Sequence, residues 1–152
     1  MSPIMVRDDQ IVQEVTIKAP AERIFAALTR PDELLKWWAA EGKFQLVHAE
    51  CDLQPGGKWL MRLVGHCAAE SSVSTVYGEF RDVEPPRLLT YTWIRENEDY
   101  PETLVRWDLE EKDGHTTVRV THSGLVGESL RARNSGWPLI IQLLEAYIQR
   151  QN

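Results

Sequence analysis

The chain has 152 residues, 43% of them hydrophobic, and a formal net charge of −6, which is the size and composition of one ordinary globular domain. An acidic chain without a basic cluster is a poor partner for nucleic acid, and no apolar run approaches the roughly 18 residues that cross a bilayer. The N-terminus lacks a secretory pattern, so we expect a single cytoplasmic domain over residues 1–152, with its core at about 11–150, that binds neither nucleic acid nor membrane.

The first quarter of the chain predicts one strand followed by two short helices. Alternating β-branched residues over 11–18 predict the strand. Pro20 suits the first turn of a helix, because proline lacks the N–H that this position leaves unused. Pro31 can open a second short helix, which carries Trp37 and Trp38.

Beyond the second helix the apolar residues alternate, which is typical of strands. Pro55-Gly56-Gly57 predicts a turn with a positive φ at one glycine or both. A change of parity between Phe80 and Val83 predicts a β-bulge. Strands are expected at 44–50, 58–64, 73–83, 87–94, 103–110 and 116–123, with connections at 65–72 and 95–101.

The C-terminal segment returns to helical spacing, because Ile140, Leu144, Tyr147 and Ile148 recur three or four residues apart. We expect this helix to end near Arg150 and to pack Ile140, Ile141, Leu144 and Ile148 on the sheet. A run of antiparallel strands with segregated helices is an α+β fold. On three of the strands every second residue is apolar, and we expect these residues to form the face that meets the helix. They are Trp59, Met61, Leu63, Leu89, Tyr91, Trp93, Val105, Trp107 and Leu109.

Six segments carry a family resemblance: Ile17–Phe25, Leu34–Trp38, Pro55–Trp59, Gly78–Leu88, Thr121–Gly124 and Gly136–Trp137. In residues and order they resemble the START-like helix-grip superfamily (SRPBCC) and, within it, the group named for the activator of heat-shock protein 90 ATPase. The resemblance implies a curved antiparallel sheet of about six to seven strands around the C-terminal helix, with a cavity between them. Superfamily members hold lipids, sterols, polyketides or plant hormones, and the namesake is a co-chaperone, a role in stress response.

The histidines and cysteines form no recognised metal, nucleotide or nucleophile motif, so no cofactor and no metal are predicted. Cys51 and Cys67 are interpreted as free thiols of a reducing compartment. His122 shares the parity of Val118 and Val120, so its ring can face the helix. Two interpretations stay open for it: a hydrogen-bonded histidine that holds the strand-to-loop turn, or an acid–base group at the cavity mouth.

The aromatic residues carry the functional prediction. Buried indole N–H and phenol O–H groups need partners, so Trp59, Tyr91, Trp93 and Trp107 on one face favour a partly wet cavity over a dry core, with a filled core as the rival. Such a cavity holds a small apolar or aromatic ligand, and we expect Trp137 to lie outside it. The predicted lining is Trp37, Trp38 and Phe44 from the lid, Trp59, Met61, Tyr91, Trp93 and Trp107 from the sheet, and Leu144 and Tyr147 from the helix.

Three functions follow from these observations. The first is a small-molecule-binding domain that is not catalytic, or only weakly so. The second is a protein-interaction module resembling a co-chaperone, which needs an exposed apolar patch of several hundred Å². The third is a cyclase or hydrolase that uses His122, which needs a titrating group facing the cavity. Either a monomer or a homodimer is compatible with the sequence.

Overall fold

The computed structural model describes residues 9–40, 44–67, 70–96, 101–126 and 136–151. One strand, two short helices, a run of strands and one long helix follow each other as predicted, and the α+β helix-grip fold is confirmed. The elements are β1 (Ile11–Ile17), α1 (Ala21–Thr29), α2 (Pro31–Trp37), β2 (Ala39–Ala40), β3 (Phe44–Cys51), β4 (Lys58–Cys67), β5 (Glu70–Glu84), β6 (Leu88–Arg95), β7 (Thr103–Lys112), β8 (His115–Ser123) and α3 (Trp137–Gln151).

The strands form one curled antiparallel sheet in the order β1-β8-β7-β6-β5-β4-β3-β2. The first strand returns to pair with the last, from Ile11 opposite His122 to Ile17 opposite Thr116. Seven strands are long, and the eighth, β2, has two residues at the opposite edge. The long helix α3 packs on the inner face of the curl and contacts β1 and α2.

The two short helices begin where their prolines allow. Pro20 is extended at φ −70° and ψ 149°, and α1 starts directly after it. A carboxylate oxygen of Glu111 accepts the backbone N–H of Ala21 at 2.8 Å, which places negative charge at the positive end of the helix. Arg30 separates the helices in an extended conformation, and Pro31 then occupies the first turn of α2. Both predicted helices are therefore confirmed.

The predicted inner face is the core of the protein. Trp107 and Leu89 are fully buried on the sheet side. The four residues predicted to pack from α3, namely Ile140, Ile141, Leu144 and Ile148, are all buried. Strand parity therefore identified the apolar face, and helical spacing identified the face of α3 that covers it.

Strand β5 carries the predicted β-bulge, because its pairing with β6 shifts register between Phe80 and Val83. Thr90 satisfies the backbone at this point: its hydroxyl oxygen accepts the N–H of Asp82 at 2.9 Å, and its O–H donates to the carboxylate of Asp82 at 2.8 Å. This bonding explains why the threonine is buried at an outward position.

Gly78 lets an indole reach a backbone carbonyl of β6. The Trp59 indole N–H donates to the carbonyl of Thr92 at 3.0 Å. A Cβ on Gly78 would lie 2.0 Å from that carbonyl oxygen and 2.7 Å from the Trp59 indole nitrogen, so no larger residue fits. The turn before β4 also behaves as predicted, since Gly56 has a φ of 84°.

One connection differs from the sequence prediction. Residues 65–72 were expected as a connection, but β4 and β5 continue as a paired hairpin with Gly65 opposite Ser72. Backbone pairing needs no apolar alternation, so these residues, which show none, gave no strand signal. The sequence also leaves open a helix over residues 128–133, and these residues lie outside those that the structure describes. Within the ranges described, no helix is long and apolar enough to cross a membrane.

Candidate functional site

A pocket of about 240 Å³ lies at the N-terminal end of α3, between that helix and strands β3 to β6. Its volume exceeds the roughly 150 Å³ of a protein cavity that holds benzene. Four aromatic side chains form much of its wall: Trp38, Phe44, Trp93 and Trp137. Aliphatic groups complete it from β4, β5 and α3. Ser74 lines the pocket and is exposed, so the pocket opens to solvent on that side.

The adjacent residues Trp37 and Trp38 point to different parts of the molecule. The Trp37 indole N–H donates to the carbonyl of Ala27 at 2.9 Å, which anchors α2 on α1. The backbone carbonyl of Trp38 accepts the N–H of Leu46 at 3.2 Å, so the second indole is held beside β3. Its ring meets that of Trp137 edge to face, with centroids 6.1 Å apart. The Trp38 side chain therefore joins the end of α2 to the start of α3.

A directional chain of hydrogen bonds runs behind the pocket wall. The Trp137 indole N–H can only donate, so Nδ1 of His122 accepts it, at 3.0 Å. The neutral ring then carries its proton on Nε2 and donates to Oγ1 of Thr103 at 2.7 Å. The Thr103 hydroxyl in turn donates to the carbonyl of Trp93 at 3.2 Å. Both ring nitrogens of His122 and the hydroxyl of Thr103 are therefore hydrogen-bonded.

This chain gives His122 a positioning role. The residue is fully buried, and burial, with a smaller effect from the positive charge of Arg95, lowers the pKa of its ring from 6.5 to about 3. The imidazole is therefore neutral at physiological pH, and both nitrogens are occupied within the protein. Of the two interpretations left open by the sequence, the geometry favours the histidine that holds the turn after β8.

The pocket lining also includes an arginine, next to a tryptophan whose indole N–H is buried. Among its described lining residues, Arg95 carries a formal charge, and no carboxylate is present. The guanidinium carbon of Arg95 lies 5.9 Å from the centroid of the Trp93 ring, within the range of a cation–π contact. The Trp93 indole N–H is buried and has no hydrogen-bond acceptor in the described part of the chain. A buried donor without an acceptor costs about 1–3 kcal/mol.

Most of the residues predicted to line a ligand site lie elsewhere in the structure. The Trp107 indole N–H donates to the phenol oxygen of Tyr91 at 3.0 Å, and Trp59 is bonded to Thr92 as described above. These side chains pack closely, since the rings of Trp59 and Tyr91 have centroids 5.0 Å apart. The residues that belong to the packed core and not to the pocket lining are Trp37, Trp59, Met61, Tyr91, Trp107 and Leu144.

Tyr147 was also predicted in the ligand site, but its hydroxyl donates to the carboxylate of Glu33 on α2. Arg23 on α1 binds the same carboxylate through two N–H groups, each at 3.1 Å, and its guanidinium carbon lies 5.6 Å from the centroid of the tyrosine ring. This cluster of Arg23, Glu33 and Tyr147 joins the three helices. Its role is to fix α3 against α1 and α2.

The expectation that Trp137 lies outside the pocket is wrong. Its indole forms part of the wall, because the chain through His122 turns the first residue of α3 inward. Sequence reasoning also missed Ser74 and Arg95 in the lining. Arg95 shares the parity of Trp93, so the strand pattern did contain this signal once β6 is extended by one residue.

The remaining polar features of the described residues are ordinary. A groove of about 420 Å³ crosses the outer face, but its Arg81 lies 3.7 Å from Glu102 and 3.8 Å from Glu79, as on any solvated surface. Cys51 is a free thiol whose pKa burial raises to about 11. No three described His, Cys, Asp or Glu side chains lie close enough to share a metal ion.

Comparison with known proteins gives a family and a fold. The family model of activator of Hsp90 ATPase homolog 1-like protein matches residues 18–149. No curated protein matches the chain by sequence. The AHSA1 protein from Silicibacter pomeroyi has a similar crystal structure, with a TM-score of 0.79 at 22% identity, covering 94% of this chain and 99% of that one.

Two further solved structures have the same fold. The AHSA1-like protein from Aeromonas hydrophila gives a TM-score of 0.73 at 20% identity, covering 93% of both chains. Protein Ms6760 from Mycobacterium smegmatis gives 0.78 at 20% identity, covering 93% of this chain and 89% of that one. At such identities the likeness establishes the fold alone.

Proposed function

We propose that this chain, which belongs to the family of activator of Hsp90 ATPase homolog 1-like proteins, binds a small apolar or aromatic molecule in the pocket at the start of α3. The observation that carries the proposal is an open volume of about 240 Å³ walled by four aromatic side chains. Pockets of this kind bury most of a small ligand among apolar groups and use a few polar ones to orient it.

The size of the pocket is consistent with a ligand of two fused rings or a short acyl chain, roughly a dozen heavy atoms. Micromolar binding corresponds to about 8 kcal/mol. A dozen atoms would then each contribute about 0.7 kcal/mol, within the range of roughly 0.3–1.5 kcal/mol per atom that small ligands reach. Micromolar affinity is therefore attainable in a pocket of this volume.

The proposal is for binding without catalysis. His122 was the candidate acid–base residue of the sequence, but both of its ring nitrogens are hydrogen-bonded to Trp137 and Thr103. A histidine with a pKa of about 3 also binds no proton near neutral pH. These two facts argue against the cyclase or hydrolase alternative that uses this residue.

Titration of a panel of small aromatic and acyl compounds, followed by tryptophan fluorescence, tests the proposal. Trp93 and Trp137 line the pocket, so we expect saturable quenching or a spectral shift at micromolar levels. Ser74→Phe should fill the pocket entrance and weaken binding at least tenfold. Val73→Phe is the matched control, because Val73 is 66% exposed and precedes Ser74 on the strand. No saturable binding by any compound, or equal losses in the two variants, would overturn the proposal.

A protein-interaction module is the second candidate. The observation that favours it is the family description, which names activation of the Hsp90 ATPase, together with exposed Val73 and Tyr77 on β5. An Hsp90 ATPase assay distinguishes the two candidates. A several-fold stimulation that Val73→Ser or Tyr77→Ser removes would favour the interaction module, whereas an unchanged rate would favour the ligand-binding domain.

A cytoplasmic location belongs to the same proposal. Its support is the free thiol of Cys51, because unpaired cysteines are typical of reducing compartments. Cell fractionation tests the location. Light scattering after size-exclusion chromatography measures whether the protein is a monomer or a homodimer.

A further inference from the structure

We infer that His122 sets the ligand selectivity of this pocket, although its own ring is not part of the lining. By accepting the indole N–H of Trp137, it keeps that donor in the core. The pocket then selects an uncharged aromatic hydrocarbon over a ring of the same size that carries a hydrogen-bond acceptor. The inference rests on the proposed function and deepens it, because it names the chemical class of the ligand and the residue that selects it.

Trp137 borders both the pocket and the core. Its ring lines the pocket and meets the ring of Trp38, another wall residue, edge to face with centroids 6.1 Å apart. It also meets two rings of the core edge to face, those of Trp107 at 5.8 Å and His122 at 5.7 Å. The direction of this one indole N–H therefore decides whether the pocket or the core receives a hydrogen-bond donor.

The N–H of Trp137 is bound within the core. Nδ1 of the fully buried His122 accepts it at 3.0 Å. Thr103 fixes the tautomer that makes this possible, because its hydroxyl oxygen accepts Nε2–H at 2.7 Å while its O–H donates to the carbonyl of Trp93. An imidazole that carries its proton on Nε2 leaves Nδ1 as an acceptor. The N–H of Trp137 is therefore not available to a molecule in the pocket.

The neighbouring indole of Trp93 offers no donor either. Its nitrogen is buried, without accessible surface toward the pocket, and its ring meets that of His122 with centroids 5.5 Å apart. A ligand acceptor placed against these two indoles gives up its hydrogen bond to water and finds no donor on either ring, which lowers affinity. A hydrocarbon gives up no such bond.

Loss of the acceptor at position 122 should reverse this selectivity. The N–H of Trp137 would become a buried donor without a partner, and such a group favours any rotamer that gives it one. The pocket supplies partners, because it opens to solvent at Ser74. Gly136, which directly precedes Trp137, is also exposed, and a Cβ there would meet nothing within 4 Å. The N–H can then face the pocket and bind an acceptor on a ligand.

Naphthalene and quinoline test this inference, because they have the same bicyclic shape and quinoline adds one ring nitrogen that accepts a hydrogen bond. Both are uncharged at slightly alkaline pH, and isothermal titration calorimetry measures both. We expect the wild type to bind naphthalene about tenfold more tightly than quinoline. In His122→Leu this ratio should fall about tenfold, because quinoline then gains a hydrogen bond from Trp137. A substitution that merely loosens the fold weakens both probes alike.

Three further variants assign the effect to the indole N–H. His122→Asn should keep the ratio near that of the wild type, because its amide oxygen can take the place of Nδ1 as acceptor. In a Trp137→Phe background, His122→Leu should leave the ratio unchanged, since no indole N–H remains. Thr116→Val is the matched control: it removes another buried hydrogen bond of β8, from the Thr116 hydroxyl to the carbonyl of Ala19 at 2.7 Å, and should lower stability without changing the ratio.

Equal affinities of the two probes for the wild type, or an unchanged ratio in His122→Leu, would overturn the inference and leave the proposed function standing. If His122→Leu does not fold, Thr103→Val replaces it, because it removes the group that fixes the tautomer. The ratio should then fall about two- to threefold, and no fall would overturn the inference. If naphthalene does not bind while another compound of the panel does, the inference fails alone. If no compound binds, the proposed function fails with it.

Discussion

Two aromatic regions of the same inner face differ in how their polar atoms are satisfied. In the centre of the sheet, the N–H groups of Trp59 and Trp107 have protein acceptors at 3.0 Å, and the rings pack closely. At the N-terminal end of α3, Trp38, Trp93 and Trp137 surround a volume of about 240 Å³. There the Trp93 N–H is buried without an acceptor in the described chain.

The difference shows that an aromatic residue on the inner face is not by itself evidence of a ligand site. Trp93 and Trp107 occupy the same parity of neighbouring strands, and one lines the pocket while the other lies in the packed core. Both rings pack against that of Trp137, the first residue of α3, with centroids 5.7 and 5.8 Å away. Their other neighbours differ: Trp107 bonds to Tyr91 within the core, whereas Trp93 lies beside Arg95 at the pocket.

The largest expected effect is on the free energy of unfolding, and it is tested by comparing two positions of α3. Leu144 is fully buried in the core, whereas Ile140 borders the pocket. Leu144→Ala should lower the free energy of unfolding by roughly 2–5 kcal/mol, because it opens a cavity in a packed region. Ile140→Ala should cost less, since it widens a space that already exists. Urea denaturation measures both. Equal costs, or a Leu144→Ala cost below about 0.5 kcal/mol, would contradict the division into two regions.

The pH dependence of stability tests the hydrogen-bond chain between the regions. The pKa of His122 is lowered to about 3 in the folded state, so between pH 6.5 and pH 3 the unfolded chain binds a proton that the folded protein does not. Stability from this residue is thus complete above pH 6.5 and is lost as the pH falls. We expect a loss of about 1–2 kcal/mol between pH 7 and pH 5.

His115→Gln is the control for this measurement, because His115 is exposed beside the β7–β8 turn and its removal should leave the slope unchanged. His122→Asn should flatten the slope while lowering stability at pH 7. A wild-type slope that His122→Asn leaves intact would mean that other groups produce it.

A smaller difference in the free energy of unfolding is expected between Trp-to-Phe substitutions at two positions. Trp107→Phe removes an N–H that donates to Tyr91 and leaves the phenol without that donor. Trp93→Phe removes an N–H that has no described acceptor. Trp107→Phe should therefore reduce the free energy of unfolding by about 1–2 kcal/mol more than Trp93→Phe. Equal reductions would show that the Trp93 N–H is satisfied in solution, and the contrast between the regions would then be lost.

The fold could be predicted because it depends on patterns that are local in sequence. Alternation along β4, β6 and β7 reports which face is buried, and the spacing in α3 reports which side of the helix covers it. Prolines and glycines marked the starts of α1 and α2 and the turn at Gly56. The paired ends of β4 and β5 escaped prediction because their sequence shows no alternation of apolar and polar residues.

The site was harder to predict because the parity of a residue shows which face of the sheet it lies on. It does not show whether that residue lies in the packed core or at the pocket. Trp107 was expected in the ligand site and lies in the core, and Trp137 was expected outside it and lines the pocket. The position of Trp137 depends on His122, 15 residues earlier in the chain, and that of Tyr147 on Glu33, 114 residues away. Contacts across such separations leave no local pattern.

The most direct test of the central claim uses the six indole N–H signals in a ¹H–¹⁵N NMR spectrum, assigned by Trp-to-Phe substitution. On saturation with naphthalene, the signals of the pocket residues Trp38, Trp93 and Trp137 should shift most. The signals of Trp37, Trp59 and Trp107 should change little, because these side chains lie outside the pocket lining. Largest shifts at Trp59 and Trp107 would place the ligand in the centre of the sheet and contradict the account.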